Sequence, residues 1–163
     1  MTLPAPTRTL LLWCPDWPIT ASRQAHGLPD DAPIALIEKG QVFACSAAAR
    51  REGVSRGIRV REAQSRCTGL IVLPYDASLD HRAFEPVIEA VESLASGVQV
   101  LRPGVCAIRS RGPARFYGGE KPAALALLGV LEDLGIHGTR VGVADGPFTA
   151  EMAARSTHDI LVV

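Results

Sequence analysis

The order of predicted strands and helices in the second half of the chain constrains the fold more than any other feature of the sequence. Apolar runs and turn residues predict strand 70–73, helix 79–95, strands 98–101 and 106–110, helix 122–134 and strand 140–144. In the first helix, Phe84, Val87 and Val91 recur at helical spacing, whereas Glu85 and Glu89 lie on the opposite face. Strand, helix, strand, strand, helix, strand is the order of a split βαβ sheet. The sequence therefore predicts an α+β, ferredoxin-like fold with helices on one face of the sheet.

One further strand is predicted near the start of the chain, at residues 9–14. Prolines on both sides of Asp16 end this strand, and Asp16 is expected to cap a short helix that runs to His26. We expect the strand to join the sheet formed by the second half. Residues 1–20 and 70–163 would then form one discontinuous domain.

A small lobe, residues 21–69, is predicted to be inserted between the two parts of that domain. Its predicted elements are a hairpin of strands 34–37 and 41–45 and two short helices, 47–52 and 60–66. Ser46 is a suitable N-cap for the first of these helices. Beyond the sheet, a helix at 148–155 precedes an apolar strand that begins at Ile160, and we expect the chain to be truncated at residue 163.

Composition and charge exclude several classes of protein. The 163 residues are 47% apolar and 21% charged, which is typical of a compact globular unit and not of a disordered tail. Basic and acidic residues number 17 each, so the chain lacks the overall excess of positive charge that would indicate binding to nucleic acid. The four cysteines are widely spaced without a Cys-x-x-Cys pair, which favours free thiols in a reducing cytosol. The sequence shows no membrane-spanning run and no signal peptide, so a cytoplasmic protein is expected. No cofactor is expected.

Two segments carry a resemblance to a known family. Residues 46–58 have the sequence SAAARREGVSRGI, and residues 142–153 have GVADGPFTAEMA. The first is similar to the fingers signature of the Y-family translesion DNA polymerases, Ser-Tyr-Glu-Ala-Arg-Lys-x-Gly-Val-x-x-Gly-Met. The second is similar to their Gly-Ile-Ala-x-Asn-Lys-x-x-Ala-Lys-x-Ala segment. The chain most closely resembles the ImuB-like branch, the polymerase-like members of bacterial mutasomes. This resemblance implies a palm at 1–20 and 70–163, fingers at 21–69, and a thumb and little finger beyond residue 163.

The residues that the resemblance would place in the polymerase active site are not those that the chemistry requires. Two Mg²⁺ ions about 4 Å apart need several carboxylate oxygens. The leading catalytic Asp of the family falls on Trp13 or Pro15, which leaves Asp16 as the carboxylate of that segment. The Asp-Glu pair of the family corresponds to Gly104 and Val105. The resemblance therefore implies a degenerate site without catalytic metals.

This sequence also differs from the family at positions that contact the incoming nucleotide. Ala47 stands at the Tyr position, Gly146 and Pro147 at the Asn-Lys pair, and Glu151 at the second Lys. Arg50 matches the family's triphosphate-contacting Arg. Because one exposed ionic contact contributes about 0–1 kcal/mol, the resemblance implies at most weak nucleotide binding.

Two basic stretches are candidates for contact with phosphate. The first has a net charge of +4, because six arginines stand against Glu52 and Glu62; its members are Arg50, Arg51, Arg56, Arg59, Arg61 and Arg66. This charge suffices to follow a phosphate backbone, which gives weak, sequence-independent binding of DNA. The second stretch has no intervening acid and comprises Arg102, Arg109, Arg111 and Arg115. It would suit a phosphate or an acidic partner, and solvation of a charged surface explains it equally well.

The resemblance implies a non-catalytic scaffold in error-prone translesion DNA synthesis and damage-induced mutagenesis. Its implied partners are a separate error-prone polymerase of replicative type, an accessory RecA-like protein and the sliding clamp, bound mostly through regions beyond residue 163. The implied location is the cytoplasm, in association with the nucleoid. Two alternatives remain open at this point. One is an active nucleotidyltransferase with a relocated metal site built from Asp16, Asp145 and Glu151. The other is a ferredoxin-like interaction domain unrelated to DNA.

Overall fold

The structure is a computed structural model that describes residues 4–163. Within these residues the chain forms eight strands and seven helices. In chain order they are β1 (Arg8–Trp13), α1 (Trp17–His26), β2 (Ile34–Glu38), β3 (Gln41–Cys45), α2 (Ala47–Arg51), α3 (Val60–Arg66), β4 (Ile71–Pro74), α4 (Ala77–Glu92), β5 (Gln99–Arg102), β6 (Val105–Arg109), α5 (Arg111–Tyr117), α6 (Glu120–Asp133), β7 (Arg140–Asp145), α7 (Pro147–Arg155) and β8 (Ile160–Val162).

The chain divides into two compact units. The first unit consists of the residues up to Pro15 together with Phe84–Val163, and the second consists of Asp16–Ala83. The insertion predicted at residues 21–69 lies inside the second unit. The second unit extends further at both ends because α1 and β4 pack with the β2–β3 hairpin.

A five-stranded sheet in the order β5-β6-β1-β7-β8 forms the first unit. Strand β1 is central and antiparallel to both β6 and β7, with Leu11 opposite Ala107 on one side and Gly142 on the other. The connections through α4 and α6 each join parallel strands with one strand between them, which is the ferredoxin-like arrangement. The predicted split βαβ fold is therefore confirmed, but its first strand is β1. The prediction that strand 70–73 belongs to this sheet is wrong.

Both faces of this sheet are buried. On one face, Ala150 and Ala154 of α7 pack against Leu11, Ala107 and Ala144. The opposite face presents alternate residues of the same strands, such as Leu10 and Val143, which are fully buried. Helix α7 thus packs on the face of the sheet that presents Leu11 and Ala144, and the predicted α+β class is confirmed.

The close approach of α7 to the sheet depends on Gly142 in β7. A Cβ atom on this glycine would lie 2.6 Å from the backbone nitrogen of Ala154 and 3.0 Å from the carbonyl carbon of Ala150. Real Cβ contacts do not reach such distances, so only glycine fits at this position. The small residues of the second motif segment are thereby explained by packing.

A three-stranded sheet in the order β3-β2-β4 forms the core of the second unit. Strand β4 pairs in parallel with β2, which places Ile71 opposite Ile34. Strand pairing of this kind joins distant segments, so the apolar pattern alone did not reveal which sheet β4 would enter. Ser46 confirms its predicted role as N-cap, since its hydroxyl accepts a hydrogen bond from the N–H of Ala49. The same hydroxyl accepts from the N–H of Ile34 at 2.9 Å and thus fixes α2 to the sheet.

Three smaller features of the fold concern the helix α5, the cysteines and the apolar character of the helices. The segment after β6, for which the sequence predicted no helix or strand, forms the helix α5, and Pro113 is tolerated there because it lies in the first turn. All four cysteines are buried and free, and burial raises the pKa of Cys14 to about 11 and that of Cys106 to about 12. Among the described residues, no helix has the length and apolar character needed to cross a membrane.

Candidate functional site

The end of β1 meets the turn between β5 and β6, the two places at which the resemblance located catalytic carboxylates. Trp13 pairs with Val105 across the sheet, and the N–H of Cys14 donates to the carbonyl of Gly104 at 2.8 Å. Gly104 has a φ of 91°, a left-handed conformation that favours glycine. The expected adjacency of Gly104 and Val105 to the end of the first strand is confirmed.

Charged side chains from β5, β7 and α7 gather around Trp13. The guanidinium groups of Arg140 and Arg155 lie 5.2 and 4.6 Å from the centre of its ring, a cation–π arrangement. Nη2 of Arg155 donates a hydrogen bond to Oε1 of Glu151 at 2.9 Å, and Arg102 donates to the same carboxylate. We name this group, which comprises Trp13, Arg102, Arg140, Glu151 and Arg155, the Trp13 cluster.

Glu151 is the carboxylate of the Trp13 cluster, and its side chain is 15% exposed. The hydrogen bond from Arg102 holds its pKa below the usual value, and Arg155 acts in the same direction. A carboxylate that accepts from two guanidinium groups has its oxygens occupied, and its charge is balanced locally. Glu151 is therefore placed to hold α7 to β5.

The three carboxylates of the relocated metal site are each paired with a different arginine. Asp145 lies 3.4 Å from Arg8, Asp16 lies 2.7 Å from Arg50, and Glu151 contacts Arg102 and Arg155. Across residues 4–163, no group of three or more His, Cys, Asp and Glu side chains is placed to hold a metal ion. These donors do not fit a site for two Mg²⁺ ions, which needs several converging oxygens.

Asp16 has a structural role that differs from the predicted one. It stands at the N-cap position of α1 with a φ of 55°, but its side chain makes no capping hydrogen bond. Its backbone carbonyl accepts from the N–H of Ile19 at 2.9 Å, and its carboxylate accepts from both terminal nitrogens of Arg50, at 3.1 and 2.7 Å. The predicted side-chain cap is therefore wrong. The left-handed backbone turns the carboxylate towards Arg50, away from the N–H groups of α1.

Arg50 is engaged within the second unit. Besides the paired contacts to Asp16, its Nη1 donates to the carbonyl of Cys45 at 2.6 Å. A guanidinium used in this way ties α2 to the start of α1, and it would have to give up these contacts to meet a phosphate. Among the predicted nucleic-acid contacts, Arg50 is thus already occupied by contacts within the fold.

The other arginines of the first basic stretch differ from Arg50 in their partners. Arg56 lies 4.7 Å from the centre of the Phe43 ring, and Phe43 stacks on Tyr75. Arg66 is paired with Glu62 and donates to a backbone carbonyl. Three others are exposed and have no carboxylate partner among residues 4–163: Arg51, Arg59 and Arg61. The fold brings these arginines into one unit, and their contact with DNA stays a prediction.

The comparisons with known proteins identify the family. The model of the impB/mucB/samB family matches residues 13–155. The chain belongs to this family. The match includes the end of β1, both motif segments and the whole of the second unit. No curated protein matches the sequence significantly.

Solved structures of Y-family DNA polymerases share the fold of this chain. An insertion ternary complex of Dbh DNA polymerase superposes with a TM-score of 0.81 at 14% identity, covering 96% of this chain and 48% of that one. DinB from Sulfolobus solfataricus superposes with a TM-score of 0.79 at 15% identity, with coverage of 96% and 48%. The palm and fingers fold of Y-family polymerases is thus shown. The chain spans about half the length of these polymerases.

Sequence reasoning located the end of β1 but missed the Trp13 cluster. Its members come from β1, β5, β7 and α7, and no local pattern joins strands that pair across a sheet. One signal was present in the sequence, because Glu151 and Arg155 stand four residues apart, a spacing at which helical side chains meet. That spacing indicated a paired glutamate where the family has a lysine.

Proposed function

We propose that this chain is the palm and fingers part of a non-catalytic, ImuB-like scaffold that serves error-prone translesion DNA synthesis and damage-induced mutagenesis. The observation that supports this proposal most directly is the Trp13 cluster. Where phosphoryl transfer needs converging carboxylate oxygens for two metals, this chain has an indole ring, three guanidinium groups and a glutamate paired with two of them. A positive, internally paired group repels Mg²⁺.

The same observation argues against an active nucleotidyltransferase. Two of the three carboxylates needed for a relocated site, Asp145 and Glu151, are bound to arginines of the first unit, and Asp16 is bound to Arg50. Freeing them would cost the ion pairs that they make. Membership of the impB/mucB/samB family argues against an interaction domain unrelated to DNA.

Contact with DNA is proposed to be weak and independent of sequence. The exposed arginines of the second unit would meet phosphates, with Arg51, Arg56, Arg59 and Arg61 as the contacts and Arg50 contributing less because of its pair with Asp16. Phosphate contacts attract without distinguishing bases, and they weaken as salt increases. No cofactor is proposed.

The proposed partners are a separate error-prone polymerase of replicative type, an accessory RecA-like protein and the sliding clamp. Their contacts are proposed to lie mostly beyond residue 163, in the half of the polymerase length that this chain does not span. The proposed location is the cytoplasm, in association with the nucleoid and without membrane contact. A sedimentation experiment with purified partners, comparing residues 1–163 with a longer protein, tests this division of roles.

Titration of Mn²⁺ into the chain, followed by calorimetry, tests the absence of a catalytic metal site. We expect no stoichiometric two-ion binding, and we expect Asp145→Asn and Glu151→Gln to leave the titration unchanged. A two-ion isotherm that Glu151→Gln abolishes would contradict the proposal. Metal-dependent primer extension by the intact protein, abolished by Asp16→Ala, would contradict it as well. A Y-family polymerase with its carboxylates intact provides the positive control for both measurements.

A further inference from the structure

A cavity of about 490 Å³ opens at the α5 edge of the first unit. Three arginines stand around it, Arg109 at the end of β6 and Arg111 and Arg115 one turn apart on α5. Apolar side chains line its floor, among them Leu94 and Pro113. We name this cavity, with its three arginines and the neighbouring Phe116, the α5 groove.

The charge of the α5 groove is not balanced within the fold. No acidic residue lines the cavity, and Arg109, Arg111 and Arg115 have no ion pair with any of residues 4–163. Arg111 and Arg115 share one face of the helix at a spacing where like charges repel. Three guanidinium groups at one cavity are stabilised when an anionic ligand supplies the missing charge.

Phe116 adds a second, independent property to the groove. Phe116 is 81% exposed, and its ring makes a T-shaped contact with Tyr117, with centroids 4.8 Å apart. A T-shaped contact engages at most one face of a ring, and the high exposure of Phe116 leaves the other face open to a ligand. An exposed aromatic face beside guanidinium groups is the combination with which proteins bind single strands, because bases stack on the ring while phosphates meet the arginines.

We propose that the α5 groove binds single-stranded nucleic acid, with phosphates on Arg109, Arg111 and Arg115 and a base stacked on Phe116. The planar fork of a guanidinium matches two phosphate oxygens at once. The exposed ring favours nucleic acid over an acidic peptide, because carboxylates would use the arginines and leave the ring without a function. This inference does not depend on the scaffold role, since a catalytic and a non-catalytic protein would expose the same edge.

Fluorescence anisotropy of a short labelled oligothymidylate tests the three arginines. The variant R109Q/R111Q/R115Q should flatten the slope of log K against log salt by about two units, since each phosphate contact on a single strand contributes about 0.7. The matched control K39Q/R82Q/K121Q removes the same charge from exposed positions outside both basic stretches and should change the slope by less than half as much. Equal losses in the two triple variants, or no loss in the first, would overturn the proposal.

Substitution of the ring tests the stacking. Phe116→Ala should weaken binding on the order of tenfold and leave the salt slope unchanged, because stacking releases no counterions. Phe148→Ala is the control, since Phe148 is 74% exposed on another helix of the same unit. Polyglutamate and duplex DNA are the competitors. If polyglutamate displaces the oligonucleotide as well as unlabelled oligothymidylate does, and Phe116→Ala has no effect, the groove binds an acidic partner and the proposal fails.

Discussion

The first unit contains two arginine clusters whose charge is balanced in opposite ways. In the Trp13 cluster, Arg102 and Arg155 are paired with Glu151, and Arg140 and Arg155 lie over the indole ring. In the α5 groove, three arginines surround a cavity without any acidic partner among the described residues. Both clusters sit at ends of strands in the same sheet, so the contrast lies in the partners of the arginines.

This contrast separates arginines that hold the fold together from arginines that are available to a ligand. An arginine with its donors satisfied by the protein gains little from a phosphate, because each new contact replaces an existing one. An arginine without protein partners gives up only its hydration and side-chain freedom when an anion approaches. Arg50 of the second unit follows the first pattern, although the family motif suggested the second. Pairing within the fold thus tells more about function than the position of an arginine in a motif.

The largest expected effect concerns the packing that assembles the Trp13 cluster. Gly142→Ala would place a methyl group against the backbone of Ala150 and Ala154 and push α7, with Glu151 and Arg155, away from the sheet. We expect a loss of about 3 kcal/mol or more in the free energy of unfolding, since backbone atoms cannot move aside as side chains do. Urea denaturation measures this loss.

Gly129 in α6 provides the matched control. An added Cβ there meets no atom within 4 Å, so Gly129→Ala should leave stability unchanged or raise it by up to about 1 kcal/mol. A Gly142→Ala protein as stable as the Gly129→Ala protein would show that α7 is not held tightly to β7, and the Trp13 cluster would lose its geometric basis.

The next effect tests the balance of charge in the Trp13 cluster. Glu151→Gln removes the charge that two arginines share, and we expect a loss of about 1.5 kcal/mol near neutral pH. The folded-state pKa of Glu151 lies below its usual value of 4.5, so its contribution is present above that pH and disappears as pH falls through the lowered pKa. The stability difference between the two proteins should therefore shrink in acid. A difference that stays constant with pH would contradict the ion-pair account, and Glu89→Gln on α4 is the control.

Local patterns account for the parts of the fold that the sequence predicted correctly. The period of apolar residues in α4, the hairpin of β2 and β3 and the cap at Ser46 each depend on residues close together in the chain. The sheet that β4 joins is decided by its pairing with β2, which is distant in the chain. No local signal in the sequence encodes that choice.

The candidate site was predictable only where the resemblance to the family covered it. The adjacency of Gly104 to the end of β1 followed from the resemblance, whereas the contacts around Trp13 join four elements. In the sequence, the arginines of the α5 groove formed part of a basic stretch, and solvation of a charged surface explained that stretch equally well. Glycine and proline in Arg-Gly-Pro-Ala-Arg hid the helix that brings Arg111 and Arg115 to one face. The unpaired state of these arginines depends on what the rest of the chain places near them.

A smaller effect distinguishes two arginines inside the Trp13 cluster. Arg155→Gln removes an ion pair and a cation–π contact, and we expect a loss of about 1 kcal/mol. Arg140→Gln removes a cation–π contact at longer distance, and we expect about 0.5 kcal/mol. Urea denaturation of both variants, and of the double variant, gives the comparison. If Arg140→Gln costs as much as Arg155→Gln, the pair with Glu151 contributes nothing, and the cluster is held by the indole ring alone.

The smallest effect has the opposite sign and is the sharpest test of the contrast. Arg115→Gln relieves repulsion from Arg111 while keeping similar helix propensity, so it should stabilise the protein by about 0.3 kcal/mol at low salt. The gain should vanish near 1 M salt, where the screening length falls to about 3 Å. Arg155→Gln, measured in parallel, should remain destabilising at both salt concentrations. If Arg115→Gln destabilises the protein as Arg155→Gln does, Arg115 has a partner within the fold, and the charge of the α5 groove is not available to a ligand.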